Sequence, residues 1–226
     1  MTRGEVFERI TEIGVVPAIR PSKPSEAIYA AEAISRGGIP IVEISMAMPE
    51  SLECLTSVTK AHGGKVLAGA GTVLDGEGVR LAYEAGAQFI VTPGFSEDAV
   101  RMAQAFELPI FAGALTPTEV QVALKSGADA VKLFPCYSAG GPRYIKSLLT
   151  QYPDAQFIAS GGVTLENCMD YIRAGACAVG VGREIGDAES MASGAHRLFA
   201  ERARRFRKAV SEAQMLWLNA RAQAAV

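Results

Sequence analysis

The chain has 226 residues, 49% of them hydrophobic and 20% charged, which fits a soluble globular enzyme and argues against disorder. Its 22 basic and 24 acidic residues leave a net charge of −2, so charge gives no ground for binding nucleic acid or an anionic membrane. The length suits one domain of the α/β-barrel size, and no run of about 18 apolar residues offers a membrane span.

The first residues, Met1-Thr2-Arg3-Gly4-Glu5, are charged, and no apolar signal core follows them. The first strand is expected over Val15–Ile19, delivering Arg20 at its end. The turn after it, Ile19-Arg20-Pro21-Ser22, lacks a glycine fingerprint, which ranks an open doubly wound sheet below a closed barrel. Further apolar strands are expected over Ile39–Ile44, Val66–Gly69, Gln88–Thr92, Pro109–Ala112, Asp129–Phe134, Gln156–Ala159 and Cys177–Gly182. Helical stretches separate them, and Gly37, Gly86, Gly127 and Gly175 stand where helices end, as left-handed caps. Short continuous apolar strands alternating with helices imply a parallel sheet covered on its outer face. Eight such units predict a (β/α)8 TIM barrel over 1–186 as the catalytic domain.

The pattern then changes. Met191–Arg207 reads as a helix, and an Ala-rich tail follows from Ala209. Residues 187–226 are therefore expected to form a helical extension packed on the barrel. Arg202, Arg204, Arg205, Arg207 and Lys208 cluster there as a solvated helix face. The cysteines Cys54, Cys136, Cys168 and Cys177 form no C-x-x-C pair, and with only His62 and His196 no zinc ligand set emerges. Free thiols in a reducing cytoplasm are expected.

Two charges interrupt the apolar strands. Lys132 lies in Ala130-Val131-Lys132-Leu133-Phe134-Pro135, and Glu43 in Pro40-Ile41-Val42-Glu43-Ile44. A buried ammonium is costly unless it is paired or loses its proton, and a neutral lysine attacks carbonyls to form a Schiff base. A structural salt bridge is the alternative, and the two readings are compatible because proximity tunes both groups. Barrel active sites lie at the carboxyl ends of the strands. Those ends also deliver Thr72, Thr92, Pro93, Phe134, Ser160-Gly161-Gly162 and Gly180-Val181-Gly182-Arg183. The last two turns follow strands 7 and 8, the usual phosphate position of this architecture, although tight turns favour glycine in any case.

Glu43 in V-E-I, Gly69-Ala70-Gly71-Thr72-Val73, Lys132 in V-K-L-F-P and Ser160-Gly161-Gly162-Val163 together resemble the 2-keto-3-deoxy-6-phosphogluconate aldolases, also called 4-hydroxy-2-oxoglutarate aldolases. The resemblance runs from about Val15 to Ile185 and includes Thr116-Pro117-Thr118-Glu119 and the segment Gly141 to Lys146. It implies a class I aldolase that needs no metal or other cofactor, acts on a phosphorylated 2-oxo acid and assembles as a homotrimer. Lys132 would form the imine, Glu43 would act as general acid and base, and Thr72 would bind the pyruvyl carboxylate. Pro93 and Phe134 would shape the pocket, while Gly161, Gly162 and Gly182 would cradle phosphate. Three departures stand out. Ala47 replaces an arginine of some members, which Arg20 can replace as the carboxylate's cation. Arg183 stands where a small residue is common, either clamping phosphate or filling its site. Ser160 replaces a threonine. These departures bear on substrate identity, including the 6-phosphogalactonate epimer, more than on reaction type. The competing readings are a phosphate-binding isomerase, epimerase or decarboxylase barrel without an imine, and a catalytically silent barrel.

Overall fold

A computed structural model describes residues 1–193 and 195–224. Among these, eight parallel strands close a barrel in sequential order, β1 to β8, with β8 returning to β1. The strands are β1 Val15–Ile19, β2 Ile41–Ser45, β3 Leu67–Gly71, β4 Ile90–Val91, β5 Ile110–Ala114, β6 Ala130–Leu133, β7 Phe157–Ser160 and β8 Ala178–Val181. Between them run the helices α2 Pro24–Arg36, α3 Ser51–His62, α4 Gly76–Glu84, α5 Glu97–Ala105, α6 Pro117–Lys125, α7 Pro142–Gln151 and α8 Cys168–Arg173. This is the (β/α)8 barrel that the alternation of elements predicts.

The sequence reading omitted one element. Helix α1, Arg3–Ile13, precedes β1 and opens with a capping box. Thr2 Oγ1 accepts from the Glu5 amide, and Glu5 Oε2 accepts from the Thr2 amide at 2.7 Å. The helix lies across the amino-terminal end of the barrel. Its Phe7 ring sits 6.0 Å from that of Phe111, which is 5.7 Å from Phe89. Arg3 grips Asp129 in a fork, with Nε to Oδ1 at 2.8 Å and Nη2 to Oδ2 at 2.9 Å.

The glycine caps need one correction. Gly86, Gly127 and Gly175 have positive φ, as expected, but in the first repeat Gly38 takes that conformation (φ +93°) and Gly37 stays helical at −76°. Gly37 is small for another reason. A Cβ there would lie 2.6 Å from both the Ala200 carbonyl and the Ala203 methyl. Those residues belong to α11, His196–Ala224, which packs between α8 and α2 in the outer ring. Its Phe199, Ala203, Phe206, Val210 and Ala213 are buried.

The helix expected over Met191–Arg207 is divided. After α9, Arg183–Gly186, comes α10, Ala188–Ala192, and α11 begins at His196. Asp187 caps α10 by accepting from the Ser190 amide at 2.8 Å and also pairs with Arg202 of α11 at 2.5 Å. Gly194 and residues 225–226 lie outside the described residues. None of the described helices is long and apolar enough to cross a membrane.

Candidate active site

The strand register decides which side chains enter the barrel. Ala18 of β1 pairs with Glu43 of β2, and Glu43 with Gly69 of β3. On the far wall Gly113 of β5 pairs with Lys132 of β6, and Lys132 with Ile158 of β7. Side chains alternate along a strand, so residues two apart share a face. Glu43 and Ser45 therefore point inward together, with Gly69 and Gly71 beside them on β3. Gly113, Lys132, Ile158, Ser160 and Gly180 face inward from the remaining strands.

Glu43 and Lys132 reach across this interior towards each other. The Lys132 Nζ lies 3.6 Å from Glu43 Oε1, and the residues are only 9% and 5% exposed. The same Nζ sits 5.5 Å from the centroid of the Phe134 ring, which is partly exposed at the barrel mouth. Glycine makes room for this pair. A Cβ on Gly71 would fall 2.5 Å from Glu43 Cγ and Cδ and closer still to its Oε1. Gly113, beside Lys132 in the ladder, would by the same test strike the Pro93 backbone, which places Pro93 on this wall. Thr92, next to it, is fully buried, and its Oγ1 accepts from the Gly113 amide at 2.9 Å, so it ties β4 to β5.

Thr72 follows β3 with φ +59°. A β-branched residue in the left-handed region costs about 1–3 kcal/mol, and glycine is the usual occupant. The frame around it is fixed, because the Met46 amide donates to the Gly71 carbonyl at 2.8 Å and the Val73 amide to the Val91 carbonyl at 3.2 Å. Its Oγ1 meets the buried Ser45 Oγ at 3.1 Å. Sequence reasoning missed Ser45, because serine after an apolar run reads as the start of a turn. Its even spacing from Glu43 was the available signal.

The other half of the mouth is built from backbone. Gly161 and Gly162 both have φ +83°, and a Cβ on Gly161 would lie 2.9 Å from Pro135 Cα and 3.0 Å from the Phe134 ring. The Cys136 amide donates to the Ser160 carbonyl at 2.8 Å, and the Tyr137 amide to the Gly161 carbonyl at 3.1 Å. These bonds lock the segment after Lys132 onto the turn after β7. Ser160 Oγ lies over Gly180, 2.9 Å from where a Cβ would stand. Arg20 brings its Nη1 within 3.8 Å of the Cβ position of Gly182. Arg183 is exposed at the start of α9, and Ala47 is exposed in the turn after β2. Arg20, Gly182 and Arg183 thus lie at the seam of β8 and β1, and Glu43, Lys132 and Thr72 within the barrel and across it.

Cys136 is the other candidate nucleophile close in sequence to Lys132. Burial pushes its thiol up to about 11, so it stays protonated at neutral pH. Among the described residues no group of three His, Cys, Asp or Glu is placed to hold a metal ion. A cavity of about 770 Å³ lies at the opposite end of the barrel, lined by Leu149, Ile172, Met215 and Leu218 with Glu8 and Glu12. It contains none of the expected site residues. The candidate site, by strand polarity, is at the carboxyl end.

Residues 6–199 match the family model of the KDPG and KHG aldolases. The chain is 37% identical over 176 residues to a 2-dehydro-3-deoxy-6-phosphogalactonate aldolase of Escherichia coli, covering 77% of this chain and 85% of that protein. It is 33% identical over 171 residues to a 2-dehydro-3-deoxy-phosphogluconate aldolase of Haemophilus influenzae, covering 76% and 80%. Among solved structures, a KDPG aldolase from Legionella pneumophila with pyruvate captured as a covalent carbinolamine superposes with a TM-score of 0.81 at 26% identity, covering 87% of this chain and 96% of that one.

Proposed function

The chain belongs to the KDPG and KHG aldolase family and is a carbon–carbon lyase, and we propose that it cleaves 2-keto-3-deoxy-6-phosphogluconate through an imine on Lys132. The observation that carries this reading is the buried Lys132–Glu43 pair, 3.6 Å apart on the inward face of the barrel. Lys132 Nζ attacks the C2 carbonyl of the substrate, and the carbinolamine loses water to give the protonated imine. Glu43 carries protons to and from that nitrogen and its substituents; its Oε1, 3.6 Å from Nζ, closes the remaining gap on substrate binding or acts through one water. It then takes the C4 hydroxyl proton. The C3–C4 bond breaks, its electron pair passes to the imine as an enamine, and the aldehyde leaves. Returning the proton to C3 and hydrolysing the imine releases pyruvate and restores Lys132. Glyceraldehyde 3-phosphate is the aldehyde from the sugar acid, and glyoxylate from 4-hydroxy-2-oxoglutarate.

Thr72 binds the pyruvyl carboxylate in this reading, and Pro93 and Phe134 form the pocket walls. Ser160, Gly161, Gly162 and Gly182 receive the phosphate, with Arg20 and Arg183 as cations. The place of Arg20 Nη1 beside Gly182 favours a phosphate contact over the carboxylate contact that alanine at 47 invites. The likeness to a phosphogalactonate aldolase makes that epimer the second substrate, and the ratio of kcat/KM values for the two decides between them. A cytoplasmic setting is supported by four free thiols. Exposed Leu74, Tyr83 and Tyr29 leave apolar surface for a homotrimer.

Borohydride reduction in the presence of pyruvate, followed by peptide mapping, tests the imine. A reduced adduct on Lys132, absent from a folded Lys132→Ala variant that has also lost turnover, is the expected outcome. Cleavage retained by Lys132→Ala would sink the mechanism and favour a barrel enzyme without an imine.

A further inference from the structure

We infer that Ser45 is a positioning residue, setting the direction of the Thr72 hydroxyl so that it donates to the carboxylate of the bound 2-oxo acid; this rests on the assignment of Thr72 made above. Ser45 is 2% exposed, the last residue of β2, and shares the inward face with Glu43. A buried hydroxyl needs an acceptor. Among the described residues the recorded partner of Ser45 Oγ is Thr72 Oγ1, at 3.1 Å. Either hydroxyl could donate in this contact, and Ser45 is taken as the donor because it is buried while Thr72 is only half-buried and can pass its own proton on. An oxygen that accepts from Ser45 turns its own proton elsewhere, and because Ser45 shares the inward face of β2 with Glu43, Thr72 Oγ1 stands at the edge of that interior. An anion there meets a donor that needs no reorientation, the arrangement in which preorganised donors are most effective.

The strain at Thr72 points the same way. Glycine would relieve the left-handed backbone; what threonine adds there is its hydroxyl, which meets Ser45 between backbone bonds made by the flanking Gly71 and Val73. The Ser45–Thr72 bond restrains the side-chain and hydroxyl torsions that the backbone leaves free.

A double-mutant cycle on pyruvate imine formation tests this, with saturation of the borohydride-trapped adduct as the measure of pyruvate affinity. Ser45→Ala should weaken pyruvate roughly threefold to tenfold, the worth of one neutral hydrogen bond. Maximal adduct at saturating pyruvate should stay the same. Ser45→Thr, which keeps the hydroxyl, should restore affinity, and Ser45→Cys, which keeps the volume with a weaker donor, should fall between. In a Thr72→Ala background, Ser45→Ala should have no further effect. Wild-type affinity in Ser45→Ala and Ser45→Cys, or fully additive losses in the double variant, would overturn the inference while leaving the imine mechanism standing. Absence of any adduct in the wild type would instead remove the mechanism and the inference with it.

Discussion

Substituting Gly71 by alanine adds one methyl group to the barrel interior, and the structure fixes what that methyl meets. Its carbon would stand 2.5 Å from Glu43 Cγ and Cδ, against about 3.5–4.0 Å for a normal carbon contact. The φ of Gly71 lies outside the left-handed region, so the backbone itself accepts alanine, and the collision is the main cost. Glu43 must rotate away by more than about 1 Å, which breaks its approach to Lys132 Nζ at 3.6 Å. Overpacking of this kind costs about 1–3 kcal/mol, or roughly 2–4 °C in melting temperature for each kcal/mol at this chain length. Losing a positioned acid and base costs roughly 10²–10⁴-fold in rate. We expect Gly71→Ala to lose activity on that scale while melting roughly 2–12 °C lower. Combined with Glu43→Ala, the methyl gains the vacated space, so the double variant should melt no lower than Glu43→Ala alone and be no less active. The assay is cleavage coupled to pyruvate detection, beside calorimetry on all four proteins. Wild-type kcat in Gly71→Ala, or additive destabilisation in the double variant, would refute the view that Gly71 serves as clearance for Glu43.

Two further outcomes follow from groups outside that pair. Asp187 is held below the usual carboxylate range by the Ser190 amide, then by Arg202 and the Ser190 hydroxyl. A depressed folded-state value adds stability above the ordinary carboxylate pKa of about 4 and loses it as pH falls below that. Asp187→Ala should therefore lower stability at pH 7 by roughly 1–2 kcal/mol and flatten the acid limb below about pH 4, read from melting curves across pH; a variant with an unchanged acid limb contradicts the assignment. Arg183→Ser should raise KM for the phosphorylated sugar acid about tenfold or more, the worth of one charge-assisted hydrogen bond, and leave pyruvate trapping on Lys132 unaltered. Equal or tighter binding of the phosphorylated substrate would show that Arg183 occupies the phosphate position and does not clamp it.

The barrel was legible because short, mainly apolar runs alternate with helical stretches, four of them behind a helix-ending glycine, and a local pattern of that kind needs no long-range information to be recognised. Lys132 and Glu43 were legible for the converse reason, as charges where burial makes charge expensive. What the sequence hid depends on contacts between distant segments. Gly37 and Gly38 are indistinguishable as caps until α11 is seen against Gly37. Thr72 reads as a strand end, and only the fixed turn reveals its positive φ. Ser45 lies one residue beyond the expected end of its strand, where hydroxyl residues usually mark a turn. Helix α1 precedes the first strand, where no alternation of elements calls for a helix, and only its Thr2–Glu5 capping box marks it in the sequence.

The glycines of this chain also separate into two kinds, and the separation bears on which motif carries function. An eight-stranded barrel has an interior that side chains just fill. At the amino-terminal end the filling is aromatic, from Phe89 and Phe111 with Phe7 beneath them. A glutamate and a lysine that must meet further up require the neighbouring inward positions to give up volume. Gly69 clears the Phe89 ring, Gly71 clears Glu43, and Gly113 clears Pro93 beside Lys132. Gly161 and Gly162 differ, because they carry positive φ and turn the chain. The glycine of Gly69-Ala70-Gly71-Thr72-Val73 is therefore tied to Glu43 through space, although 28 positions separate Gly71 from it in the numbering. Tight turns require glycine in any barrel, whereas clearance at Gly71 is required only where a long acid occupies Glu43's place. That coupling explains why the segment around Gly71, together with Val131-Lys132-Leu133-Phe134-Pro135, identifies the chemistry better than the glycine turns at the mouth.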